Sequence, residues 1–196
     1  ADRIVALLPR ATVMMGVPTF YTRLLQHEGL TRDRVRAMRL FVSGSAPLLG
    51  ETHRAFEALT GHAILERYGM TETLMNTSNP YDGARVPDTV GPPLPGVDLR
   101  IVDPESREML GTDAIGMIEI RGPNLFKGYW RNPEKTAEDM REDGFFITGD
   151  VGKIDAAGYV HIVGRAKDLV ISGGYNVYPQ EVESEINTLD GVVESA

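Results

Sequence analysis

Leu40-Phe41-Val42-Ser43-Gly44-Ser45-Ala46-Pro47 is an apolar run that breaks abruptly into small residues and a proline. Such a run, closed by turn formers, reads as a strand and its exit. Two similar runs flank it, Thr12 to Val17 and Ala63 to Leu65. Helical patterns fill the gaps. Thr19 is placed to N-cap a helix carrying Phe20, Leu24 and Leu25. A second pattern over Glu51 to Leu59 sets Phe56 and Leu59 on one face and stops at Gly61, a residue suited to the position just past a helix end. Strand, helix, strand, helix, strand predicts parallel pairing through right-handed crossovers. Residues 1–90 therefore read as an α/β section.

The pattern changes after Tyr81. Gly91-Pro92-Pro93-Leu94-Pro95-Gly96 is a cluster of breakers, and short strands follow it at Val97 to Val102, Gly116 to Arg121 and Phe145 to Thr148. Lys153-Ile154-Asp155 and Tyr159-Val160-His161-Ile162 read as a hairpin around Ala156-Ala157-Gly158. One helix interrupts them, with Asn132 as its N-cap and Pro133 at its first position. Residues 91–166 thus read as mostly antiparallel β, a distorted barrel-like section. Residues 167–196 read as the start of a small α+β domain, running from a strand at Leu169-Val170-Ile171 to a helix begun by Pro179. That helix carries Val182, Ile186 and Leu189 as an apolar stripe.

Composition bounds the chemistry. The 196 residues hold 42% hydrophobic and 24% charged side chains, enough for a packed core. With 28 acidic and 20 basic residues the net charge is −8, a poor match to a phosphate backbone, so a nucleic-acid partner is not expected. No cysteine is present, which removes disulfides, thiolate nucleophiles and Cys-ligated zinc and fits a reducing cytoplasm. His27, His53, His62 and His161 never fall at a metal-binding spacing, and no apolar run reaches the ~20 residues of a membrane span. The chain opens on Ala1 without a signal peptide or initiator Met and stops at Val192-Val193-Glu194, which reads as a strand beginning; an internal fragment is expected.

Ligands of an open parallel sheet sit beyond the carboxyl ends of its strands. Ser43-Gly44-Ser45-Ala46-Pro47 leaves the second strand and Tyr68-Gly69-Met70-Thr71-Glu72 leaves the third. Small residues let a backbone approach a flat ligand, Tyr68 offers a stacking face, and Glu72 offers a carboxylate suited to a hard cation. On residue type alone these are equally ordinary loops, with a capping Thr71 and a solvated Glu72. Asp150, in Gly149-Asp150 at the close of the strand Phe145 to Thr148, has the acceptors for two sugar hydroxyls, or else it bonds its own turn. Gly164-Arg165-Ala166-Lys167-Asp168 reads as a linker and Ser172-Gly173-Gly174 as a tight turn. Arg23 sits in the first turns of its helix, where a surface charge is the default. Dinucleotide, P-loop and nucleophile-elbow patterns are missing.

Taken together, Gly44-Ser45-Ala46-Pro47, Tyr68-Gly69-Met70-Thr71-Glu72, Thr148-Gly149-Asp150, Gly164-Arg165-Ala166-Lys167-Asp168 and Ser172-Gly173-Gly174-Tyr175-Asn176 resemble, in order and spacing, the adenylate-forming superfamily of acyl-CoA synthetases, luciferase and peptide-synthetase adenylation domains. Within it, Gly16-Val17-Pro18-Thr19-Phe20-Tyr21-Thr22-Arg23 and Glu66-Arg67-Tyr68-Gly69-Met70-Thr71-Glu72-Thr73-Leu74-Met75-Asn76-Thr77 resemble the malonyl-CoA synthetases.

The resemblance implies two half-reactions. A carboxylate attacks the α-phosphate of ATP, releasing pyrophosphate, and the thiol of coenzyme A then displaces AMP. It implies a nucleotide site built from Ser45, Ala46, Pro47, Glu66, Arg67, Tyr68, Gly69, Met70, Thr71, Asp150 and Arg165. Thr71 would contact phosphates, Glu72 would hold Mg2+, and Asp150 would take the ribose. Lys167 would be a hinge for the C-terminal domain, and Ser172, Gly173 and Gly174 would reach the coenzyme A channel. Arg23 and Met75 would meet the acid, with Arg23 pairing the distal carboxylate of malonate. The superfamily's phosphate loop and late catalytic lysine are not among these residues, so the chain alone is expected to be inactive. A synthetase for another short or medium acid, and a non-catalytic adenylate-binding module, are the alternatives.

Overall fold

In the computed structural model, described for residues 1–172, 175–187, 189, 191, 192 and 195, the chain divides into two units. One comprises Ala1–Met70 with Met75–Pro92, the other Thr71–Leu74 with Pro93–Ala196.

The first unit runs α1 (Asp2–Leu7), β1 (Val13–Gly16), α2 (Pro18–Leu25), β2 (Leu40–Ser43), α3 (Gly50–Thr60), β3 (Leu65–Met70) and β4 (Leu74–Ser78). Its sheet has the order β1-β2-β3-β4, with β1, β2 and β3 parallel and Met15 opposite Val42, Ser43 opposite Glu66. The three residues between β3 and β4 are too few for a parallel crossover. The core lies where α2 and α3 bring Tyr21, Leu24 and Phe56 against Phe41 of β2. Phe56 meets Phe41 and Tyr21 edge-on, with centroids 4.9 and 5.4 Å apart. The buried Tyr21 hydroxyl donates to the Val42 carbonyl at 2.6 Å, so its polar end is satisfied inside the core.

Three expectations are corrected here. Helix α2 is capped by Val17 and begins at Pro18, not after Thr19, because proline needs no N–H at the first position. In α3 the inward residues are His53, Phe56 and Thr60, while Leu59 is exposed, so the buried face is rotated by one residue. Burial holds the His53 imidazole below its usual pKa. Strand β3 starts at Leu65 instead of ending there; the sequence hides it because its inward residue is the polar Glu66. Gly61 does terminate α3, at φ +78°. Gly91 has φ +80°, and a Cβ there would collide with the Ser78 backbone, so the breaker cluster folds back against β4.

The second unit holds β5 (Asp98–Val102), β6 (Gly116–Arg121), α4 (Pro133–Asp139), β7 (Phe146–Ile154) and β8 (Val160–Arg165). The four strands pair antiparallel in sequence order and bury Ile101, Val102, Ile118, Ile120, Phe146 and Val160. Gly149-Asp150 does not close a strand. Strand β7 passes through both residues and takes in the first arm of the expected hairpin. A positive φ at Gly149 and a register shift against β6 between Met117 and Glu119 absorb the turn-forming residues as a bulge in β7. Strand β8 likewise claims Gly164 and Arg165, which shortens the expected linker to a 3-10 turn over Ala166–Asp168. Asn132 caps α4 by accepting from the Lys135 amide at 3.1 Å, as its position suggests.

Beyond the turn, β9 (Val170–Ser172) pairs antiparallel with β10 (Tyr175–Val177), and α5 (Pro179–Ile186) begins at Pro179. Val182 and Ile186 are exposed on it, and Leu189, expected in the same stripe, is exposed past its end. Val193 and Glu194 lie outside the described residues. Among the described residues no helix is long and apolar enough to cross a membrane, and no three of His, Cys, Asp or Glu gather to hold a metal ion.

Candidate functional site

In the first unit a cleft of about 350 Å³ opens where β1, β2 and β3 end. Gly16 and Val17 leave β1 there, Phe20 projects from α2, and Gly44 and Ser45 leave β2. Arg67 and Gly69 of β3 and Met75 of β4 complete the wall with Met15 and Val42. Among the residues that line the cleft, Arg67 is the one charged side chain. Its Nη2 lies 3.8 Å from the Met15 sulfur, and a Cβ at Gly44 would press within 3.3 Å of the Arg67 carbonyl. Ser45 is held at φ +70°, a left-handed conformation that costs a non-glycine residue about 1–2 kcal/mol.

Alternation along β3 turns Glu66 to the face opposite Arg67 and Gly69, where it is 3% exposed. Its Oε1 accepts from the Leu48 amide at 3.2 Å, which ties the far end of the Ser45 loop to β3. Its Oε2 is buried with no hydrogen-bond partner among the described residues, and so is the Ser43 hydroxyl opposite it. Burial pushes the Glu66 carboxyl up to about 8, against the Leu48 hydrogen bond and helped by the charge of Asp88. At neutral pH Glu66 therefore carries a proton. Asn79 fixes its backbone: the Asn79 amide and Nδ2 donate to the Glu66 carbonyl at 2.9 and 3.3 Å.

The β3–β4 connection, Thr71 to Thr73, belongs to the second unit. The Phe126 amide donates to the Glu72 carbonyl at 2.7 Å, and Asn124 Nδ2 to the Thr73 carbonyl at 2.6 Å. Thr71 is exposed and Glu72 half-buried. The Tyr129 hydroxyl lies 3.2 Å from Glu72 Oε1 and 3.2 Å from Asp139 Oδ2. Burial, together with the two carboxylates, pushes the Tyr129 phenol well above its usual pKa. The next residue, Trp130, is 86% exposed, with the Arg131 guanidinium 5.5 Å from its ring. Glu72 and Thr71 offer hard oxygen donors of the kind Mg2+ takes. A single carboxylate suits a metal that completes its shell with phosphate oxygens and water.

Asp150 of β7 and Arg165 of β8 are register partners, with Nε 3.3 Å from Oδ1. Asp150 is 6% exposed and its amide donates to Thr148 Oγ1 at 3.0 Å. Lys167 is exposed in the turn Ala166–Asp168, and Ser172 ends β9. Gly173 and Gly174 lie outside the described residues.

Of the expected site residues, Ser45, Arg67, Gly69 and Met75 come together in the cleft. Ala46 and Pro47 are exposed beside Ser45 without lining it, and Glu66, Tyr68 and Met70 belong to β3 itself, not to a loop leaving it. Arg23 is in the second and last turn of α2 and is exposed outside the cleft lining. Sequence reasoning missed Met15, Gly16, Val17 and Phe20. The switch from strand to breaker at Gly16-Val17-Pro18, of the same kind as that after Ser43, was the available signal. It also missed Tyr129, whose role depends on contacts distant in sequence.

The model of the AMP-binding enzyme family matches residues 2–130. The chain is similar to the malonate–CoA ligase of Arabidopsis thaliana, 44% identical over 89% of this chain and 30% of that protein. It is also similar to a long-chain-fatty-acid–CoA ligase of Bacillus subtilis, 38% identical over 94% of this chain and 33% of that protein. Among solved structures it is similar to ATP-bound MatB from Rhodopseudomonas palustris, at 68% identity and a TM-score of 0.97, over 100% of this chain and 39% of that one. The chain thus spans about a third of the length of these relatives.

Proposed function

Because the chain belongs to the AMP-binding enzyme family, we propose that it is the nucleotide- and acid-binding part of an AMP-forming malonate–CoA ligase. The observation that carries the reading is Arg67, a guanidinium set among Met15, Val17, Phe20 and Met75 in a cleft of about 350 Å³. A small dicarboxylate leaves one charged end in such a cleft, and a guanidinium pairs it in two-pronged geometry. Arg23, three residues beyond Phe20 and so on the same side of α2, is the second cation offered to that end. The similarity to MatB and to the Arabidopsis ligase supports malonate as the acid.

On this reading Ser45, Ala46 and Pro47 meet the adenine, with Tyr68 as a stacking face and the backbone of Glu66, Gly69 and Met70 behind it. Thr71 hydrogen-bonds phosphate oxygens. Asp150, pinned by Arg165, accepts from the ribose hydroxyls. Glu72 holds Mg2+, which when bound neutralises charge developing on the departing pyrophosphate. The acid's reacting carboxylate is aimed at the α-phosphate by the grip on its far end, and attack there forms the acyl-phosphate bond as the bond to pyrophosphate breaks. Lys167, exposed in its short turn, is the hinge for the thioester step, and the segment Ser172-Gly173-Gly174 meets coenzyme A.

The test is malonate-dependent exchange of pyrophosphate into ATP by the intact protein. We expect exchange, and we expect Arg67→Gln to cut kcat/KM for malonate by about 30- to 150-fold, equivalent to about 2–3 kcal/mol. The 196 residues alone should give none. A faster reaction with a long-chain monocarboxylate than with malonate would instead favour a fatty acid, the acid named for the Bacillus subtilis relative.

A further inference from the structure

We propose that Tyr129 is a positioning residue that fixes the Glu72 carboxylate for a divalent cation, an inference resting on the reading of Glu72 as the metal-holding group. Tyr129 is itself held at three points, by its backbone, its ring and its hydroxyl. Its amide donates to Thr136 Oγ1 of α4 at 2.9 Å. Its ring stands edge-on to Phe126 at 4.8 Å, and Phe126 stands edge-on to Phe146 of β7 at 5.5 Å. Its hydroxyl reaches Glu72 Oε1 at 3.2 Å. Phe126 also holds the Glu72 carbonyl, so one short segment grips both the backbone and the side chain of Glu72.

A phenol has one proton, and two carboxylates lie within 3.2 Å of it. Lys135 biases the competition. Its Nζ is 2.8 Å from Asp139 Oδ1, one helical turn away, so Asp139 has a cation beside it that, among the described residues, Glu72 lacks. The bias favours the phenol proton on Glu72. There it engages Oε1 and leaves Oε2 to a ligand. Mg2+ demands near-octahedral geometry and gives up water reluctantly, so a carboxylate fixed in one rotamer meets that demand better than a free one.

The experiment uses Mn2+ as the probe on the intact protein with ATP present. Affinity is read from the electron paramagnetic resonance of free Mn2+, and beside it the Mg2+ dependence and acid KM of pyrophosphate exchange. Tyr129→Phe keeps the ring packing. We expect it to weaken Mn2+ binding by about tenfold, with the Mg2+ requirement rising in parallel and the acid KM unchanged. Glu72→Gln should weaken binding further. Asp139→Asn, which removes the charge of the competing acceptor, should not weaken it. If Glu72→Gln weakens Mn2+ binding while Tyr129→Phe does not, the positioning role is overturned and Glu72 keeps the metal. If neither variant changes it, the assignment of Glu72 fails and takes the inference with it. A loss in Asp139→Asn equal to that in Tyr129→Phe would overturn the phenol's role in favour of a general structural one.

Discussion

Glu66 of the first unit and Glu119 of the second are 3% and 1% exposed, yet the chain meets the cost of burying a carboxylate in opposite ways. Glu119 on β6 stands opposite Arg100 on β5. Arg100 Nη2 lies 2.7 Å from its Oε2, and Arg141 Nε donates to its Oε1 at 2.8 Å. Arg100 continues to Asp143 at 2.7 Å and covers the Phe145 ring at 3.8 Å. Glu66 on β3 stands opposite Ser43. With no cation beside it among the described residues, it keeps a proton and leaves Oε2 without a partner among them. The neighbours separate the two outcomes: guanidiniums, one of them opposite in register, make an ion pair, and a hydroxyl opposite makes a neutral acid. The saturated glutamate lies outside the cleft, and the unsaturated one supports the loop that lines it.

The contrast can be broken most severely at Glu119. Glu119→Gln leaves two guanidiniums, each less than a quarter exposed, facing a neutral amide. A loss of about 3–5 kcal/mol is expected in urea unfolding followed by circular dichroism. A loss below about 1 kcal/mol would mean that solvent already screens the network.

Glu66→Gln sharpens the comparison through pH. Below about 4.5, its ordinary value, Glu66 is protonated whether folded or unfolded. As pH rises toward the folded value of about 8, the unfolded chain releases that proton and the folded chain does not, so stability falls across this window and levels off above it. Glu66→Gln keeps an acceptor for the Leu48 amide and should lack the slope. It should gain about 3–4 kcal/mol relative to the parent between pH 5 and 8. Parallel pH profiles for the two proteins would show that Glu66 is charged after all.

The smallest effect is expected at Ser45. Ser45→Gly relieves its left-handed backbone and should raise stability by about 1 kcal/mol, while calorimetry on the intact protein shows weaker ATP binding. A loss of stability would mean that the serine hydroxyl, not the tight turn, selects the residue.

The parallel strand-helix alternation and the antiparallel change after the 91–96 breakers were legible, because both follow from apolar runs and punctuation. What failed has a common cause. Strand β3 was cut short at Leu65 and β7 at Thr148 because turn-like or charged residues continue both strands. Glu66 enters the first as a neutral acid, and Gly149-Asp150 enters the second as a bulge against β6. The site was legible as segments and not as contacts. Gly44-Ser45 and Arg67-Gly69 are next to each other in the cleft, as expected of strand exits. The turn of α2 on which Arg23 falls depended on a cap that Pro18 moved. Tyr129 could not be found, since 57 residues separate it from Glu72.

Trp130 is the only tryptophan in the chain, and it sits in water beside Tyr129. Its emission is consequently red-shifted before any denaturant is added, so neither hydrophobic core reports its own melting through the indole. The same isolation makes the residue a single-site optical label. One place from the phenol that grips Glu72, with a guanidinium near its ring, its intensity and its quenching by iodide follow events at that corner when it is excited to the red of the tyrosines.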